Sequence, residues 1–119
     1  MLEVLCIVNG PLQENCYVVH NGIDALIIDP GSEEKRILTE VNSRNLSVKG
    51  ILVTHYHFDH IGAIDSFDNS LILDKNNLQE KEYNIGDFNF EIIYTPGHKE
   101  DSITIYFKED KIMFTGDFI

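Results

Sequence analysis

One short stretch decides how the rest of the chain is interpreted: Thr54-His55-Tyr56-His57-Phe58-Asp59-His60. It brings three histidines and an aspartate together in the pattern H-x-H-x-D-H. In an extended segment, residues two apart point the same way, so His55, His57 and Asp59 can face one pocket. Imidazoles and a carboxylate suit zinc, and also iron or manganese. The pattern therefore predicts a metal site; the alternatives are a solvated polar loop or histidines paired in the core.

The flanks of this stretch place it at the end of a buried strand. Residues 48–53 form an apolar run that predicts a strand, and residues 61–67 predict a short helix. His60 lies where that helix begins, so it can approach the same pocket from another side. Sites in layered α/β domains gather at the carboxyl ends of strands, which is where this motif falls.

The rest of the chain is rich in predicted strands. Apolar or alternating runs predict them at residues 2–8, 16–20, 23–29, 71–73, 88–94, 103–107 and 111–115. Residues 74–83 carry no clear pattern. Asn21-Gly22 predicts a two-residue hairpin turn with positive φ at both positions. A helix is predicted after its capping residue Ser32, because Ile37, Leu38 and Val41 share one helical face. The fold class is α+β or layered α/β, with a mixed β-sheet and one or two helices.

Size and charge narrow the function classes. The 119 residues suit one domain. With 20 acidic against 9 basic residues, the net charge of −11 argues against nucleic acid, whose phosphates must be neutralised by Lys and Arg. We expect no membrane partner, because no run reaches the length of a span, and without a signal peptide we expect a cytoplasmic protein. Cys6 and Cys16 are expected to be buried small hydrophobes rather than a thiol metal or redox site.

Two further stretches carry candidate ligands. Thr95-Pro96-Gly97-His98 breaks the preceding strand, and His98 becomes a candidate ligand because a metal motif lies upstream. Phe114-Thr115-Gly116-Asp117 is a strand ending in glycine and a carboxylate, which alone is a common turn. The fifth histidine, His20, lies beside the hairpin turn, and we expect it to be an exposed residue at the end of its strand.

These stretches, together with residues 10–17 and Ile28-Asp29-Pro30-Gly31, resemble the metallo-β-lactamase-fold hydrolase superfamily. Within it they are most similar to the glyoxalase II-like, or hydroxyacylglutathione hydrolase-like, branch. They occur in the order of the family and span nearly the whole chain. The resemblance implies an αββα sandwich of two similar halves, of which this chain matches the N-terminal half. Residues 1–119 are therefore expected to form a single truncated domain.

The resemblance also implies a site for one or two metal ions, with Zn²⁺ expected and iron or manganese as alternatives. It assigns His55, His57 and His98 to the first ion, Asp59 and His60 to the second, and Asp117 as a bridge between them. Asp29 would orient the metal-binding loop without touching the metal. A further histidine of the second ion and the family's substrate-binding segments have no counterpart in these residues, so we expect the second site to be incomplete.

The function implied is a zinc-dependent hydrolase of the glyoxalase II-like thioesterase class. Metal-bound hydroxide would attack the carbonyl of a small-molecule thioester or ester, with Asp59 orienting the nucleophile. The alternative is a metal-binding module without turnover, favoured by the missing ligand and substrate wall. A phosphodiesterase or nuclease is disfavoured by the net charge of −11. A half-sandwich leaves a sheet face uncovered, so we expect a second copy to cover it in a homodimer.

Overall fold

The architecture is two sheets with a helix against one of them. The computed structural model describes residues 2–9, 14–30, 34–54, 72–74, 77–94 and 103–114. Within these ranges the elements are β1 (Glu3–Asn9), β2 (Glu14–His20), β3 (Asp24–Ile28), α1 (Glu34–Ser43), β4 (Ser47–Leu52), β5 (Ile72–Leu73), β6 (Glu82–Ile85), β7 (Phe88–Tyr94), β8 (Ile103–Phe107) and β9 (Ile112–Phe114). The first sheet has the order β1-β2-β3-β4-β5, and the second has the order β6-β7-β8-β9.

The first sheet is mixed, as predicted. Its strands β1, β2 and β3 pair antiparallel, whereas β4 runs parallel to β3 and β5 runs parallel to β4. A parallel neighbour requires a crossover connection, and α1 lies in the connection from β3 to β4. The strands β3, β4 and β5 therefore all end along one side of the sheet, which we call the carboxyl edge. The second sheet is an antiparallel meander.

Two apolar cores separate the layers. Alternation along the strands of the first sheet sends neighbours to opposite sides: Val18 and Ile27 face α1, while Val19 and Ile28 face the second sheet. The core between the sheets contains Val19, Leu26, Ile28, Leu52, Leu78, Phe88, Phe90, Ile92, Ile103, Ile105, Phe107 and Phe114. The layer order of helix, sheet and sheet is consistent with half of a metallo-β-lactamase sandwich, so the predicted fold class is confirmed.

The end of α1 shows how the sequence stops the helix. Asn45 adopts a positive φ of 54°, and the N–H of Leu46 donates to the carbonyl of Val41 at 3.0 Å. The N–H of Asn45 donates to the carbonyl of Asn42 at 3.1 Å. This is a Schellman ending, completed by apolar packing of Leu46 with Val41. The predicted cap Ser32 and the predicted helix at residues 61–67 lie outside the described residues.

The turn between β2 and β3 lies one residue later than predicted. The N–H of Asn21 donates to the carbonyl of Asp24 at 3.2 Å, so Gly22 and Ile23 occupy the turn. Of these two, Gly22 alone has a positive φ, at 90°. The Asn21 side chain accepts from the N–H groups of Ile23 and Asp24 at 3.0 and 2.8 Å. The prediction was wrong because this asparagine shapes the turn with its side chain rather than its backbone.

His20 and Cys6 also differ from the predictions. His20 is only 5% exposed, and its Nδ1 accepts from the N–H of Gly22 at 3.1 Å. The turn folds back over the ring, which sequence position alone did not indicate. Cys6 is exposed, whereas Cys16 is buried as predicted, and both thiols are free. The register sets Ile7 opposite Cys16, so the two cysteines project from opposite faces of the sheet.

The second sheet contains a strand that no sequence pattern predicted. Residues 82–85 form β6, and Gly86-Asp87 is the two-residue turn that leads from it into β7. Gly86 has a φ of 56°, which a residue with a side chain rarely adopts. Across the described ranges, α1 is too short and too polar to span a membrane.

Candidate functional site

A buried carboxylate lies at the carboxyl edge. Asp29 follows β3, has a positive φ of 55°, and is 3% exposed. Its Oδ1 accepts from the N–H of Thr54 at 2.8 Å, and its Oδ2 accepts from the Thr54 hydroxyl at 2.6 Å. Aspartate tolerates the left-handed conformation better than most residues. In this conformation the Asp29 carboxylate points toward the end of β4, where it accepts both hydrogen bonds from Thr54, the residue directly before His55.

Thr54 is held from both sheets. Besides its two hydrogen bonds to Asp29, its carbonyl accepts from the N–H of Ile103 at 2.6 Å. Thr54 is completely buried, and Ile103 begins β8 in the second sheet. The start of the H-x-H-x-D-H segment is thus tied both to β3 and to the strand that follows the segment containing His98.

The topology brings three chain segments toward this edge. The chain leaves β4 at Thr54, leaves β7 at Tyr94, whose register partner is Ile103, and leaves β9 at Phe114. Because β9 is antiparallel to β8, Phe114 ends at the side where β8 begins. These exits lead into residues 55–60, 95–98 and 115–117. The segments that carry the predicted ligands therefore leave the described sheets on the same side.

Cys16 lies across from Asp29 in the continuing register of β2 and β3. Burial, and to a smaller extent the Asp29 carboxylate and Cys6, raise the pKa of the Cys16 thiol well above its ordinary value. A thiol must lose its proton to bind a metal or act as a nucleophile. Burial therefore favours the neutral thiol form of Cys16 beside Asp29.

The predicted ligands themselves lie outside the described residues: His55, His57, Asp59, His60, His98 and Asp117. Within the described ranges, no group of three or more His, Cys, Asp and Glu side chains is arranged to hold a metal ion. Both carboxylate oxygens of Asp29 accept hydrogen bonds from Thr54. That arrangement fits a residue that orients a metal-binding loop, and a set of imidazoles and carboxylates fits a transition-metal ion.

Thr54 is the functional candidate that sequence reasoning missed. The motif begins at this residue, but the pattern assigns it no role. The sequence does contain a signal for its role, because Thr54 lies between a predicted buried strand and the first histidine. A hydroxyl group buried at such a position needs a hydrogen-bond partner. Which partner it finds depends on the neighbouring strand, 25 residues earlier in the chain.

Comparison with known proteins gives the family. The family model described as "Metallo-beta-lactamase superfamily" matches residues 9–74 and 69–119. The chain is 30% identical to the probable metallo-hydrolase YqgX of Bacillus subtilis, over 92% of this chain and 68% of that protein. It is also 30% identical to the hydroxyacylglutathione hydrolase GloC of Haemophilus influenzae, over 90% of this chain and 67% of that protein.

A solved structure gives the same result. The crystal structure of TTHA1623 in a di-iron-bound form matches with a TM-score of 0.83 and 27% identity. The match covers 98% of this chain and 73% of that one. The two curated relatives are longer than this chain, which spans about two thirds of their length. From its motifs, its two-sheet fold and these matches, the chain belongs to the metallo-β-lactamase superfamily, whose members among its relatives are metallo-hydrolases.

Proposed function

We propose that this chain carries the metal-binding part of a metal-dependent hydrolase that acts on a small-molecule thioester or ester. The observation that carries the proposal is the grip of Asp29 on Thr54, through hydrogen bonds of 2.8 and 2.6 Å. A buried carboxylate with both oxygens engaged on one threonine has a structural purpose. That purpose is to fix the residue before His55. The relative named hydroxyacylglutathione hydrolase supports a thioester as the substrate.

The proposed ligand roles are those implied by the family resemblance. His55, His57 and His98 would hold one ion, Asp59 and His60 would hold a second, and Asp117 would contribute to both. Zinc is the proposed metal, with iron or manganese as alternatives. A bound ion would lower the pKa of a water molecule and polarise the substrate carbonyl.

The chain's own residues would supply orientation. Asp59 would orient the attacking water, while Asp29 and Thr54 would hold the start of the segment that carries it. The hydrogen bond between Thr54 and Ile103 connects the start of that segment to the second sheet. Ile103 begins β8, which follows the segment that contains His98. Rigid support of this kind is what a catalytic constellation requires from its surroundings.

A second candidate function is a metal-binding module without turnover. It requires only the first set of ligands, because His55, His57 and His98 are enough protein ligands for one zinc ion. In this case one ion bound by the three histidines would stabilise the loop and catalyse nothing.

We also propose that a second copy covers the outer face of the second sheet. Met113 is 52% exposed there, and its register partner Tyr106 is half-buried. Both point away from the core, because their strand neighbours Ile105 and Phe114 lie inside it. Light scattering over a range of concentrations tests this, and a monomer at all concentrations would refute it. The cytoplasmic location stays a prediction.

The experiment that tests the function combines metal analysis with thioester hydrolysis, comparing the wild type with His57→Ala. We expect the wild type to bind zinc or iron and to hydrolyse an acyl-glutathione thioester, and the variant to lose both. His20→Gln is the matched control, because it also removes a histidine but at the opposite end of β2 and β3. About one ion per chain without turnover would favour the module, and absence of bound metal would refute both functions.

A further inference from the structure

The matched region is longer in two relatives than in this chain. The alignments with the two curated relatives run over 143 and 146 positions, more than the 119 residues of the whole chain. Those relatives therefore carry residues inside the matched region that have no counterpart here. The family match is split into two pieces that overlap at residues 69–74. Such a split is expected where a chain and its family differ in length, so it points to the connection from β5 to β6, or the residues directly before it, as the site of the difference.

One end of this connection lies at the carboxyl edge. Val53 donates to the carbonyl of Leu73 at 2.9 Å, so the chain leaves β5 beside the residue that precedes Thr54. Asp74 then closes a tight turn. Its carbonyl accepts from Leu78 at 2.8 Å, and its N–H donates to the Asn77 side chain at 2.8 Å. We call residues 74–81 the link; the structure describes residues 74 and 77–81 of it. The link starts at the carboxyl edge, to which the predicted ligand segments also lead.

The other end of the link is fastened to the end of β7. Leu78 is 2% exposed in the core between the sheets, and its carbonyl accepts from the Tyr94 hydroxyl at 2.7 Å. The N–H of Tyr94 donates to the Glu80 carboxylate at 2.8 Å. Gln79 donates through its backbone to the Tyr83 hydroxyl at 2.7 Å. The link thus crosses from the first sheet to Tyr94, directly before the segment that contains His98.

We propose that this link forms one wall of the hydrolase site, and that its shortness admits thioesters with acyl groups too bulky for the longer relatives. The inference rests on the proposed function, because it concerns the substrate of that site. Extra residues next to Asp74 would start from the carboxyl edge, because Leu73 is hydrogen-bonded there to Val53. In this chain, burial of Leu78 and the hydrogen bonds at Tyr94 keep the link packed against the core. A shorter wall leaves more open space on that side of the site, so larger substrate groups can enter there.

The test compares two substrates that differ only in bulk: the acetyl and naphthoyl thioesters of the neutral thiol N-acetylcysteamine. The measured quantity is the ratio of kcat/KM for the naphthoyl thioester over that for the acetyl thioester. We expect the ratio to be about tenfold higher for this chain than for YqgX of Bacillus subtilis. Inserting the corresponding YqgX segment after Asp74 is expected to lower the ratio about tenfold. The matched control inserts the same segment between Glu109 and Asp110, in the turn at the far end of the second sheet.

A point variant serves if the insertion prevents folding. Gln79→Trp adds bulk to an exposed position of the link, and Asn42→Trp on the exposed side of α1 is its control. Circular dichroism and urea midpoints establish that each variant is folded. A ratio that falls in the link variants and not in the controls supports the wall. Turnover with a ratio unchanged by both link variants would overturn the wall alone, whereas no turnover of either thioester by the metal-loaded wild type would overturn the proposed function as well.

Discussion

Replacing Thr54 with valine tests whether the grip of Asp29 supports the metal site. Valine has the shape of threonine but lacks the hydroxyl, so the change removes the 2.6 Å hydrogen bond to Oδ2. The backbone bond from Thr54 to Oδ1 at 2.8 Å is retained. The packing stays nearly unchanged while a buried carboxylate oxygen loses a donor.

The size of the effect follows from that loss. A hydrogen bond to a charged group contributes about 1.5–3 kcal/mol net to the free energy of unfolding. The loss is greatest when the remaining partner stays buried and cannot bind water instead. Asp29 is 3% exposed, so water does not replace the hydroxyl. We expect the free energy of unfolding of the metal-free protein to fall by about 1.5–3 kcal/mol, which lowers the urea midpoint by about 1 M.

Metal affinity is the readout that a purely structural role would not change. Loss of a residue that orients metal ligands typically weakens metal binding by about 10- to 100-fold. We expect Thr54→Val to weaken zinc binding by about tenfold in competition with a chromophoric chelator. Thr104→Val is the matched control, because Thr104 is also a buried threonine, at 3% exposure. Its strand neighbours Ile103 and Ile105 belong to the core between the sheets, whereas Thr104 does not. We expect it to leave zinc affinity unchanged.

Two results would refute this reasoning. If the urea midpoint of Thr54→Val equals that of the wild type, the hydrogen bond contributes nothing to stability. If stability falls but zinc affinity is unchanged, Asp29 and Thr54 support the fold and not the metal site. Equal losses of zinc affinity in Thr54→Val and Thr104→Val would attribute the effect to general destabilisation.

Three further predictions concern other parts of the molecule. Tyr94→Phe removes the hydroxyl that donates to Leu78, and is expected to cost about 0.5–1.5 kcal/mol in urea unfolding; no change would mean that this bond adds nothing to the link. Gly22→Ala should cost about 1 kcal/mol, although no atom lies within 4 Å, because the φ of 90° disfavours any side chain; equal stability would refute the strain. A thiol reagent should modify exposed Cys6 quickly and buried Cys16 only after unfolding, and two fast thiols would contradict the burial.

The strand pattern could be predicted because the strands are short apolar runs between clear turn signals. Residues 88–94 alternate between core and surface, and the structure confirms a strand there. The same logic missed β6, because Glu82–Ile85 contains one strongly apolar residue and acquires its pairing only from β7. An edge strand of this kind depends on its neighbour more than on its own pattern.

Side-chain burial was predicted less well, because it depends on partners elsewhere in the chain. His20 was expected at the surface, yet the turn after it donates a backbone hydrogen bond to its ring. Cys6 was expected in the core, but β1 is the outermost strand of the first sheet and leaves the residue exposed. Neither outcome follows from local composition.

The sequence by itself determined the family and the candidate ligands, because metal chemistry requires particular side chains at particular short spacings. The H-x-H-x-D-H pattern carries that information within one short stretch of sequence. Only the tertiary structure decided what holds Thr54, where that stretch begins. Asp29 reaches Thr54 because β4 lies parallel beside β3, and Thr54 reaches Ile103 because the two sheets pack face to face. Such contacts join residues far apart in the chain, and no short spacing in the sequence encodes them.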